Sequence, residues 1–265
     1  MLTSVLVSKS QYSSTAEHTP SENKMLEERH TAQAKRRKYF RRIFMYRQMD
    51  FDYAMWQMVY LLLSPQKVYR NFQYRKQTKD QWARDDPAFL VLLSIWLCGS
   101  SVGFGIVLSL GFVGTIKFLL WVVFVDCIGV GLLIATFFWF VTNHYLKMSS
   151  KQFQQVEWGF CFDVHLNAFF PMLIILHVIQ PLLYTPLISY DYFLSTLCGN
   201  SLWLVAMGYY VYITFLGYTA LPFLKKTVAL LYPPSITIFV LYIVSVIINW
   251  NISKSLMYFY KYRVK

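Results

Sequence analysis

The stretch Asp85–Leu110, DDPAFLVLLSIWLCGSSVGFGIVLSL, decides the fold class. Its last twenty-three residues, from Ala88 onward, carry no charge, and a helix needs about 20 apolar residues to cross the hydrocarbon of a bilayer. The opening Asp-Asp-Pro suits a helix start. Asp86 offers a carboxylate to uncapped backbone N–H groups, and Pro87 fits a first turn where its missing donor costs nothing. A segment built this way reads as a membrane span.

Downstream, four more apolar runs of similar length follow, at about 118–141, 169–189, 201–223 and 230–250. Turn cues separate them: Gly111 and Gly114 before Lys117, the polar stretch Asn143–Asn167, the stretch Tyr190–Asn200, and Lys225-Lys226. Composition agrees, with 56% apolar, 19% aromatic and 14% charged residues over 265, too apolar for an ordinary soluble domain. The expected fold is all-α: a polytopic bundle of about five transmembrane helices over 87–250, preceded by interfacial amphipathic helices and followed by a short basic tail, 251–265.

Upstream the chain is polar. Of 25 Lys and Arg, 16 precede Pro87, as do 9 of 13 Asp and Glu. Residues 1–33 are rich in Ser, Thr, Glu and Gln without a periodic apolar stripe and are expected to be disordered. The short apolar run Leu2–Val7 lacks a signal-peptide cleavage pattern, so the N-terminus is expected in the cytosol.

Over 34–86 the chain reads as a basic, aromatic juxtamembrane segment. Lys35, Arg36, Arg37, Lys38, Arg41 and Arg42 surround Tyr39 and Phe40 in a short amphipathic helix. A second stripe, Phe51, Met55, Met58, Val59 and Leu62, ends at Ser64-Pro65 and is too short to span, so it is expected to lie in the interface. The basic arm suits anionic lipids, each basic residue contributing on the order of 1 kcal/mol near a charged leaflet, or RNA phosphates with stacked bases. Tethering beside a membrane favours the lipid reading.

Positive charge in short loops marks the cytosolic side. An N-terminus inside puts the arm, Lys147, Lys151 and Lys225-Lys226 on that side, with Lys117 opposite. An odd span count then places the tail's Lys254, Lys261, Arg263 and Lys265 outside, against the rule.

Several motifs invite chemistry. Asp126 sits mid-span, where a carboxylate costs roughly 2.5–3.5 kcal/mol. Either it ties spans together, the simpler reading, or it forms an ion or proton site with His177 and Gln180 of the third span. Asp163, His165 and Asn167 alternate without a recognised metal spacing and suit a polar cap on that span. Gly99 and Gly103 form a GxxxG, expected to serve helix packing. Pro171, Pro181, Pro222, Pro233 and Pro234 should start or kink helices. Asn251-Ile-Ser253 is a glycosylation sequon close to the fifth span. Cys98, Cys127, Cys161 and Cys198 are widely spaced, which argues against disulfides or zinc. No phosphate loop, HExxH or GxSxG is present, and neither enzymatic activity nor a cofactor is expected.

The chain also resembles a known family. The runs Arg47-Gln-Met-Asp-Phe51, Ser64-Pro-Gln-Lys-Val-Tyr-Arg-Asn-Phe72 and Tyr74-Arg-Lys-Gln-Thr-Lys-Asp-Gln-Trp-Ala-Arg-Asp-Asp-Pro-Ala-Phe-Leu90 are similar to the uncoordinated-fifty family of Golgi membrane proteins. The likeness continues through Asp163-Val-His-Leu-Asn-Ala-Phe169, Gly208-Tyr-Tyr, Phe215-Leu-Gly-Tyr and Phe259-Tyr-Lys-Tyr-Arg-Val-Lys265.

That resemblance implies a multi-pass Golgi protein, also placed at the inner nuclear membrane. It further implies support for surface trafficking of assembled receptors of the nicotinic acetylcholine type, engagement of large exchange factors for ADP-ribosylation-factor GTPases, and a link to RNA. The aromatic density of Tyr69–Trp82 makes Tyr74, Arg75, Lys76 and Trp82 the expected partner-docking residues. A small transporter or channel using Asp126 and His177, and an RNA-binding membrane protein, are the competing readings.

Overall fold

A computed structural model describes residues 47, 49–71, 83–84, 86–148 and 154–264. The basic arm Lys35–Arg42 and the docking residues Tyr74, Arg75, Lys76 and Trp82 lie outside the described residues.

Among the described residues, five helices are long and apolar enough to cross a membrane. They follow a shorter helix, α1 (Phe51–Leu63), whose N-terminus is capped by Asp50 accepting from the Tyr53 N–H. The spans are α2 (Ala88–Val107), α3 (Gly111–Leu146), α4 (Trp158–Ile188), α5 (Phe193–Thr219) and α6 (Thr227–Ile247). A last helix, α7 (Ile252–Val264), follows the fifth span.

Asp86 acts at the start of α2 through both oxygens: Oδ1 accepts from Ala88 N at 3.0 Å and Oδ2 from Asp50 N at 2.7 Å. The same carboxylate therefore starts one helix and pins the entry to another. Both the α2–α3 and α6–α7 corners close with a left-handed residue, Ser109 and Asn249, and with the six-to-one bonds Leu110 N to Gly105 O and Trp250 N to Ser245 O.

Three expected boundaries move. The third span begins at Trp158 rather than Phe169, so Asp163, His165 and Asn167 stand inside a helix instead of capping one. Apolar Phe160, Val164 and Leu166 share that turn and are buried, while each polar residue finds a partner on another segment of the chain. The second span starts at Gly111, with only that glycine at positive φ and Gly114 already helical. The fourth starts at Phe193 and leaves a connection of only a few residues.

Gly99 and Gly103 make no close approach among the described residues. A Cβ at either position would meet no described atom within 4 Å, because this face of α2 points away from the bundle. Close approach occurs instead at Gly105, where a Cβ would overlap Thr115. It also occurs at Gly131, where it would come 2.6 Å from His165 Cδ2, and at Gly217, 2.8 Å from Val164.

α4 is the central element, packed between α3 and α5, with α1 across its first half. Pro171 and Pro181 lie within it, and the helix widens into π-type turns at Ile174–Ile179 and Tyr184–Ile188. Such turns reconcile a missing N–H with the carbonyls behind it. At the end where the arm enters, Lys225 N donates to Leu146 O at 2.7 Å and Met148 N to Phe223 O at 3.0 Å, so the connections after α3 and α5 meet.

Candidate functional site

Two constellations stand out, one beneath α1 and one deep in the bundle. The first is built on α4. Asn167 Oδ1 accepts from Arg84 Nη2 at 2.6 Å and from Gln57 Nε2 at 3.1 Å, while its amide nitrogen donates to the Tyr69 hydroxyl at 3.4 Å. Asp163 Oδ2 accepts from the Arg84 N–H at 2.6 Å, and the guanidinium lies 4.1 Å from the centroid of the Phe89 ring.

All of these groups are buried. A buried charge is costly unless paired and hydrogen-bonded, and here Arg84 and Asp163 bring opposite charges into one cluster. Burial pushes the Tyr69 phenol above the ordinary tyrosine range, which keeps its proton on. The cluster joins α1, the segment before α2, and α4, so the juxtamembrane platform is fixed to the bundle. Arg84, Gln57 and Tyr69 were not singled out by sequence reasoning; the arginine two residues before the Asp86-Pro87 helix start was the available signal.

The second constellation is a cavity of about 270 Å³ lined by residues of α3, α4, α5 and α7. Asp126 and His177, expected as an intramembrane pair, both line it. Each sits in a π-type widening of its helix, Val122–Gly129 and Ile174–Ile179, and such widenings recur at functional positions. Asp126 Oδ2 accepts from the Tyr260 hydroxyl of α7 at 2.8 Å.

His165 also faces the cavity. Its Nε2 meets the Cys127 carbonyl at 3.2 Å and its Nδ1 the Tyr210 hydroxyl at 2.7 Å. A carbonyl only accepts, so Nε2 carries the proton, and in the neutral ring Nδ1 accepts from tyrosine. His177 differs. Its Nδ1 is buried and has no hydrogen-bond partner among the described residues, and its ring lies 4.9 Å from that of Phe104 and 6.3 Å from that of Phe118.

Gln180, the third member of the expected set, does not line the cavity. With its amide turned to match its neighbours, it donates to Leu176 O at 3.0 Å and accepts from Trp203 Nε1 at 3.2 Å and from the Ser253 hydroxyl. It joins α4 to α5 and α7 beside Pro181, a structural tie. Asn251 of the sequon donates through Nδ2, the atom a glycan would occupy, to Ile188 O at 3.0 Å, and its Oδ1 caps α7 by accepting from Lys254 N at 2.9 Å.

The model of the UNC-50 family matches residues 39–261, which takes in the platform, all five spans and most of α7. The chain belongs to the UNC-50 family. It is 64% identical to the protein unc-50 homolog of Danio rerio over 239 residues, 89% of this chain and 92% of that one. It is likewise 64% identical to the Homo sapiens homolog over 237 residues, 89% and 91% of the two chains. The Drosophila melanogaster homolog is 57% identical over 234 residues, 88% and 84%. No solved structure matches. UNC-50 proteins are non-catalytic, multi-pass membrane proteins of the Golgi with a role in trafficking.

Proposed function

We propose that the chain is a Golgi membrane scaffold that supports delivery of assembled receptors, of the nicotinic acetylcholine type, to the cell surface. It does so by engaging large exchange factors for ADP-ribosylation-factor GTPases from a cytosolic platform. Family membership supports the compartment and the trafficking role. The observation that carries the platform is the buried tie of Arg84 and Gln57 to Asn167. A loose juxtamembrane linker needs no such tie, whereas a surface that passes a docking event to the bundle does.

The docking residues are proposed to be Tyr74, Arg75, Lys76 and Trp82, with the basic arm Lys35–Arg42 holding the platform to anionic lipid. Proximity labelling from the arm tests this. Enrichment of exchange factors that is lost when those four residues are replaced together, with Golgi residence intact, supports the scaffold. Unchanged enrichment sinks the docking surface.

The competing transporter reading needs a wet, polar path past Asp126. The cavity is walled mainly by Val, Ile, Leu, Met and aromatic side chains, which supports the scaffold. Asp126→Asn should leave receptor delivery near normal.

A further inference from the structure

We infer that the cavity between α3, α4, α5 and α7 is a binding site for one small amphiphile: a protonated amine on a short apolar body.

Size is the first argument. At about 270 Å³ the cavity holds roughly nine times the ~30 Å³ share of a water molecule, at the small end of ligand sites. A whole phospholipid does not fit.

Charge is the second. Asp126 accepts from the Tyr260 hydroxyl at 2.8 Å, and no described cation pairs with it. A charge held in an apolar space without a counter-ion is costly. An ammonium head would supply the missing charge, and the rings of Trp203, Tyr210 and Tyr260 on the same walls favour a cation.

Access is the third. Val130 is exposed, and Ile134, Met172 and Met207 are only partly covered, so the cavity opens between α3 and α5 toward the hydrocarbon. An apolar body enters from there.

The test uses the purified full chain titrated with n-octylamine and, separately, with 1-octanol, which shares the chain length but lacks the charge. Binding is followed by thermal unfolding and by counting adducts in native mass spectrometry. The expected result is one saturable octylamine adduct, with affinity about tenfold or more above that for octanol, the ratio a 1.4 kcal/mol charge preference gives. Asp126→Asn should bring octylamine down to the octanol level and leave octanol unchanged. Met207→Trp, which fills the cavity without touching the carboxylate, should weaken both. Equal binding of amine and alcohol to the wild type, or octylamine affinity unaltered by Met207→Trp, overturns the assignment even if Asp126→Asn does not fold.

Discussion

Asn167 accepts from two different side chains through one oxygen, and both donors come from segments that precede the bundle in sequence. Removing it strands a guanidinium in a buried site where nothing else replaces that bond. Asn167→Ala should therefore destabilise the protein by about 1–3 kcal/mol, the range for leaving a buried donor without its acceptor. The fall would be read as a lower midpoint in scanning fluorimetry of the detergent-purified chain. At glycines the outcome depends on the neighbour. Gly131→Ala pushes a methyl against His165 and should cost about 1–3 kcal/mol. Gly99→Ala and Gly103→Ala should stay within about 0.5 kcal/mol. If the GxxxG pair were a packing seam within the chain, that order would reverse.

At the scale of elements, the apolar runs gave away the spans because a bilayer imposes its own length on any helix that crosses it, and no partner is needed to see that. The same logic fails where polar residues are satisfied by distant helices. Asp163, His165 and Asn167 look like a loop in sequence; what makes their segment helical is that Arg84, Tyr210 and Gln57 wait for them on other elements. That Asp126 and His177 line one cavity is in keeping with two ionisable residues in neighbouring apolar runs, although they make no hydrogen bond with each other there. Exclusion of Gln180 from the cavity was not legible, because its partners Trp203 and Ser253 lie far along the chain.

The tail is the element furthest from its sequence reading. α7 does not trail away. It starts beside Asn200 and Gly199 of α5 and reaches Asp126 and Phe118 of α3, with Met257 and Tyr260 buried. Tyr258 and Tyr262 remain outward, and Arg263 lies over Trp121. Asn251→Ala removes its cap and should cost about 1 kcal/mol. Since the same amide is engaged with Ile188, endoglycosidase should produce no mass shift in wild-type protein from secretory membranes. A shift would mean α7 leaves its seat.

For the whole molecule, five crossings would put the arm and the tail on opposite faces. Tags placed before the arm and after Lys265 should differ in protease accessibility in sealed Golgi vesicles, one cleaved and the other protected. Equal accessibility would mean that one apolar helix does not cross. The expected tension between a basic tail and the positive-inside rule is eased locally: Lys254 pairs with Asp191 and Arg263 rests on an indole.

The spans are unequal, and that inequality shapes the face on which the platform sits. α2 is 20 residues long, whereas α3 and α4 have 36 and 31, so at 1.5 Å per residue α2 reaches about 30 Å and its neighbours about 54 and 46 Å. A sheet of lipid of one thickness cannot match all three. The space left above the short helix is where α1 lies, and Arg84 grips α4 at Asn167, about 13 Å below the start of that helix at Trp158. α3 and α4 thus exceed what a hydrocarbon core of about 30 Å requires, so each must tilt or stand in part within the headgroup layer, while α2 matches the core without surplus.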